Sequence, residues 1–199
     1  RDLPHQPRRQ RQTCIRDSPS MVVMRAMFDF LIIETVGVGQ SETFIQNLSD
    51  SVILGVQPGS GDSIQFMKSG IFEIPDIVVV TKCDIENLSE ITYSDLSGSK
   101  AYFQNQNDWE IKIIKTSSAQ NIGFDNLFDE LNLRWKWLNE NKRLDKLRIN
   151  QDINWLYSCI SKDFGDKGLE RIKKNVSYKN SPFSKLKELK SKFNLSLIH

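Results

Sequence analysis

The stretch DIVVVTKCD (76–84) decides how this chain folds. Ile77 to Val80 are apolar without a break, so a strand made from them must be covered on both of its faces. Such strands belong to parallel sheets with helices on each side. The TKCD that follows then falls at a carboxyl end of the sheet, where folds of this kind place their ligand loops.

Working outward, FDFLIIE (28–34), SVILGVQ (51–57) and EIKIIKT (110–116) are similar short β-branched runs, and helical patterns fill the gaps between them. This βαβα order predicts an α/β fold. The loops that matter begin at Glu34, Gln57, Lys82 and Thr116. Toward the C-terminus the apolar residues change to helical spacing: Leu131, Trp135 and Leu138, then Ile149, Ile153, Leu156, Ile160 and Phe164. NSPFSKLKELKSKF adds a last helix, with Ser181 as cap, Pro182 at its first position, and Phe183, Leu186, Leu189 and Phe193 on one face.

Composition narrows the function classes. With 199 residues and 39% hydrophobic, the chain can bury one good core. No apolar run approaches the ~20 residues of a membrane helix, and residues 1–27 lack a signal-peptide core, so no membrane role is expected. Three widely spaced cysteines without a CxxC pair argue against a disulfide framework or a zinc site and fit a reducing cytosol. The two histidines, His5 and His199, lie at the chain ends, which disfavours a histidine triad.

The net charge of +2 conceals three unlike segments. Residues 1–27 hold six Arg against two Asp, residues 28–140 seven basic against seventeen acidic groups, and residues 141–199 fourteen basic against six acidic. RDLPHQPRRQRQT resembles a basic arm, but it lacks interleaved aromatics and a recognition fold, so no nucleic-acid partner is expected.

The strand-end loops suggest a nucleotide site. After the first run, ETVGVGQSE places Glu34 where a carboxylate could order water around magnesium, and Gly37 where a backbone N–H could approach a terminal phosphate. In TKCD, Asp84 can accept both N–H groups of the guanine edge while the Lys82 stem lies along the purine face. Adenine would leave that carboxylate without donors. In TSSAQ, Ser118 and Ala119 could offer a backbone N–H to the guanine carbonyl. Taken singly, each motif has a plainer reading: a tight turn, a helix start with Asp84 as its cap, or an ordinary loop. Their joint order at successive strand ends favours the nucleotide site.

Together, FDFLIIETVGVGQSE, QPGSGDSIQFMKSGIFEIPDIVVVTKCD and KTSSAQNIGFDNL resemble the methylmalonyl-CoA mutase-associated GTPases of the MeaB (ArgK) type, from about Phe28 onward. The resemblance implies a P-loop GTPase-type parallel sheet followed by a C-terminal helical arm. It also implies GTP or GDP with Mg2+ as cofactors, an adenosylcobalamin-dependent mutase as the partner whose cofactor loading is gated, and a homodimer formed through the C-terminal helices. Glu34, Gly37, Gly39 and Gln40 match the switch that senses the γ-phosphate, with Glu34 reaching magnesium through water. Thr81, Lys82 and Asp84 match the guanine-reading motif, with Thr where many relatives have Asn. Asp62, Gln65 and Lys68 match a loop that communicates with the mutase. A cytoplasmic location is implied in a bacterium, and the mitochondrial matrix in a eukaryote.

One departure stands out. Nowhere does the chain carry G-x-x-x-x-G-K-[ST], whose amides and lysine hold the phosphates in this class. The expected organisation is therefore an atypical Arg/Pro-rich segment at 1–27, read as out of frame, a partial GTPase domain at 28–140 and a helical dimerisation arm at 141–199, with no GTP turnover by this chain alone. Two other roles compete with the mutase chaperone: a non-catalytic dimeric interaction module, and a GTPase serving another metalloenzyme.

Overall fold

The computed structural model describes residues 24, 27–35, 45–59, 74–99, 108–173 and 181–196. The chain divides into two compact units, one of Val36–Arg148 and one of Arg1–Thr35 with Ile149–His199. The first contains a parallel sheet of β1 (Ile53–Val56), β2 (Ile77–Val80) and β3 (Lys112–Lys115), in that spatial order. Val80 lies level with Val56 on one side and Lys115 on the other, so all three strands end together.

The unbroken apolar run of β2 follows from its central position. Val78 and Val80 pack with Val56, Ile111 and Leu96, the last from α1 (Glu86–Gly98). Ile77 and Val79 pack on the opposite face with Ile114 and with Leu127 and Leu131 of α2 (Phe124–Asn139). Each fully buried side chain of this size contributes roughly 1.5–3 kcal/mol. A polar residue at any β2 position would face one of the two helix layers.

Three of the four expected strands form, each within the run that predicted it. The run at 28–34 does not: among the described residues it pairs with no strand, and Phe30 and Ile32 are 82% and 90% exposed. A strand needs an adjacent backbone edge to satisfy its N–H and C=O groups, and apolar composition does not supply one. The molecule is nonetheless the expected class, a partial P-loop GTPase-type α/β fold with flanking helices.

After α2 the chain turns through Glu140–Lys142, where Asn141 and Lys142 take positive φ, into α3 (Arg143–Lys173). Gly165, at φ +65° and ψ −172°, breaks α3. The last helix, α4 (Pro182–Ser196), starts on the expected proline. In the second unit Trp155, Leu156 and Cys159 form a core with Leu186, and Trp155 meets the Phe183 ring edge-on at 5.2 Å. Asp163 and Lys190 add an ion pair at 2.7 Å. Leu156 and Ile160 are fully buried as their helical spacing predicted, whereas Ile149 is 41% exposed.

Candidate functional site

At the carboxyl end of the sheet the main chain joins the strand-end loops. The Thr81 N–H donates to Val56 O at 2.9 Å, the Thr116 N–H to Val80 O at 2.9 Å, and the Cys83 N–H to Thr116 O at 3.0 Å. The TKCD loop is therefore fixed to the loop after β3. It is also tied to α1, where the Ser89 hydroxyl reaches the carbonyls of Cys83 and Glu86 at 3.2 and 2.9 Å.

Asp84 is half-buried, and its Oδ1 accepts a short hydrogen bond from the Ser117 hydroxyl. Ser117 is fully buried, and its Oγ also accepts the Gln120 N–H at 3.2 Å. Reciprocal backbone hydrogen bonds of 3.0 Å with Ile122 hold Ser117 in a small loop. The residue that caps α1 is Ile85, without a side-chain hydrogen bond, so Asp84 does not serve as the helix cap. That removes the plainest alternative for TKCD.

Gly123 closes this small loop. It sits at φ +81°, and a Cβ there would collide with the Lys115 carbonyl oxygen. Lys82 adopts φ +51°, a conformation that costs a non-glycine residue on the order of 1–3 kcal/mol and tends to occur at functional sites. Its Nζ donates to Gln57 Oε1 at 3.1 Å, so the exposed lysine is tethered to the end of β1. Nearby, Lys115 pairs with Glu90 at 2.5 Å and lies over the Tyr93 ring at 5.0 Å. The hydrogen bond that Lys115 donates to Glu90 raises the Lys115 pKa above its ordinary value.

The structure thus gathers Thr81, Lys82 and Asp84 with the loop carrying Ser118 and Ala119, both exposed. Glu34 is exposed and belongs to the other unit. Gly37, Gly39, Gln40, Asp62, Gln65 and Lys68 lie outside the described residues. Two contributors were missed by sequence reasoning: Ser117, which holds Asp84, and Gln57, which holds Lys82. The only sequence signal for Ser117 is its place directly after β3, in register with the loop that follows β2.

The opposite end of β2 carries a second aspartate in quite different surroundings. Asp76 pairs with Arg134 of α2 at 2.7 Å and accepts the Val52 N–H at 2.8 Å. The Arg134 guanidinium lies 5.0 Å from the Trp109 ring and 4.5 Å from the Trp137 ring, and the Trp109 indole donates to the Asp76 carbonyl at 3.0 Å. Arg134 is 3% exposed, and its Nε and Nη1 have no hydrogen-bonding partner among the described residues. Burial pushes the Asp76 carboxyl above the ordinary range, although the Arg134 charge pulls it down. The expected inward Trp135 is 49% exposed, and Arg134 takes the inward position beside it.

Residues 13–173 match the family model described as methylmalonyl Co-A mutase-associated GTPase MeaB. A "probable GTPase" of Mycobacterium tuberculosis is 31% identical over 153 residues, covering 75% of this chain and 44% of that protein. The mitochondrial "methylmalonic aciduria type A homolog" of Caenorhabditis elegans is 30% identical over 138 residues, covering 68% of this chain and 35% of that protein. The chain thus spans less than half the length of these curated relatives. It belongs to the methylmalonyl Co-A mutase-associated GTPase MeaB family.

Proposed function

We propose that this chain supplies the base-reading part of a GTP-binding, GTP-hydrolysing chaperone for an adenosylcobalamin-dependent, methylmalonyl-CoA-type mutase. The observation that carries the reading is Asp84: its Oδ1 is held by buried Ser117, and it is excused from helix capping. Such a carboxylate is preset to accept, and the guanine edge offers two N–H groups where adenine offers an acceptor. The Lys82 stem would cover one face of the purine, and the loop at Ser118 and Ala119 would turn a backbone N–H toward the guanine carbonyl. Family membership and the GTPase names of relatives support the same reading.

Phosphate and metal chemistry belong to other residues. Glu34 would reach magnesium through water, the Gly37 amide would meet the γ-phosphate, and Gln40 would orient the attacking water. Bound magnesium neutralises charge that develops on the phosphates during transfer. Asp62, Gln65 and Lys68 would carry the nucleotide state to the mutase, and the C-terminal helices would join two copies. The location would be the cytoplasm of a bacterium or the mitochondrial matrix of a eukaryote. The alternative reading is a non-catalytic dimeric interaction module.

Calorimetric titration of the full-length gene product with GTP, GDP and ATP tests the proposal. Guanine nucleotides should bind and ATP should not. Equal binding of ATP and GTP would remove the base-reading role, and absence of any nucleotide binding would leave the interaction module. GTP hydrolysis measured with and without the mutase then tests the chaperone role, which requires a change in rate when the mutase is present.

A further inference from the structure

We infer that Gln57 is a positioning residue that fixes the purine-covering Lys82, acting through its side-chain carbonyl. The inference rests on the base-reading role of TKCD and extends it to the residue that follows a neighbouring strand. Gln57 immediately follows β1, the strand beside β2, and the register brings both strands to the same end of the sheet. The backbone on either side of Lys82 is already anchored, through Thr81 N–H to Val56 O and Cys83 N–H to Thr116 O. Its side chain is long, charged and exposed, and an untethered lysine would sample many rotamers. The 3.1 Å contact from Nζ to Gln57 Oε1 selects among them before any base arrives.

Thr81 strengthens the geometry. Its hydroxyl donates to Val56 O at 3.3 Å, and its methyl group lies 3.9 Å from where a Cβ on Gly55 would be. The last residue of β1 and the one after it therefore support consecutive residues of TKCD: Val56 holds Thr81, and Gln57 holds Lys82. Only an acceptor can hold the ammonium group, which separates this role from simple packing.

The test uses the full-length gene product with GDP and xanthosine diphosphate as probes. Freeing one rotamer-rich side chain at a binding site typically weakens affinity about three- to tenfold, so Gln57→Leu should weaken GDP binding by that factor. Gln57→Glu retains an acceptor and should restore affinity to within about twofold of the native protein. In a Lys82→Ala background, Gln57→Leu should have no further effect, because the residue it positions is gone. Preference for GDP over xanthosine diphosphate should survive in Gln57→Leu, since Asp84 is untouched. Undiminished GDP affinity in Gln57→Leu, failure of Gln57→Glu to restore it, or a full additional loss on top of Lys82→Ala would each overturn the inference. If instead Asp84→Asn leaves GDP preference unaltered, the base-reading role itself falls and this inference falls with it.

Discussion

The two ends of β2 carry the same side chain in opposite circumstances. Asp76, before the strand, is sealed with Arg134 beneath two tryptophans, whereas Asp84, after it, is half-buried with one oxygen held by a serine. A carboxylate that must stay charged inside a protein needs a fixed counter-charge, and at Asp76 the fold provides one permanently. A carboxylate that recognises a ligand needs a fixed orientation, and at Asp84 the Ser117 hydroxyl supplies it. On the proposed reading, one end of the strand serves stability and the other recognition.

The contrast is broken most severely at the sealed end. Arg134→Met should cost about 3–5 kcal/mol in urea unfolding, because it strands Asp76 without its partner. The loss should depend on pH. Burial raises the folded-state pKa of Asp76, so its contribution to stability is full below the unfolded-state value and is lost as pH rises through the raised folded value. Without Arg134, whose charge opposes that rise, the deficit should be greatest at neutral pH and shrink toward mildly acidic pH. A deficit independent of pH would mean that Asp76 is not the group left stranded.

At the recognition end the largest structural effect should come from Gly123→Ala, which combines positive φ with a collision against the Lys115 carbonyl. A loss of roughly 3 kcal/mol is expected in the same unfolding measurement. Ser117→Ala should be milder. It removes one donor from Asp84 and the acceptor of the Gln120 N–H, which amounts to about 1–3 kcal/mol of stability, with guanine affinity falling alongside. If Ser117→Ala changed stability while GDP affinity stayed native, the serine would brace the loop without presetting Asp84.

The sequence made this division partly legible. The four apolar residues of β2 reveal its place in the sheet because a strand with a helix layer on each face has no polar side to show. Residues 28–34 look alike on paper yet do not form a strand, since pairing depends on a neighbouring edge that apolar spacing does not report. Helical spacing placed Leu131 and Leu138 on the inner face of α2 but put Trp135 between them in place of Arg134. Only Asp76, 58 positions earlier in the sequence, makes an inward arginine tolerable. Lys82 and Asp84 stand out in the sequence because strand, loop and residue types coincide within a few positions. Ser117 and Gln57 do not, because each acts across strands on a residue far away in sequence.

The most direct test of the central claim is the base preference of the full-length gene product carrying Asp84→Asn. Xanthine presents a carbonyl where guanine presents an amino group, and an amide can donate to it where a carboxylate only accepts. Competition between GTP and xanthosine triphosphate should therefore shift toward the xanthine nucleotide in the variant, while unfolding stability changes by less than about 1 kcal/mol, as expected for a half-buried polar side chain. A variant that folds normally and keeps the native preference for GTP would show that Asp84 does not face the base.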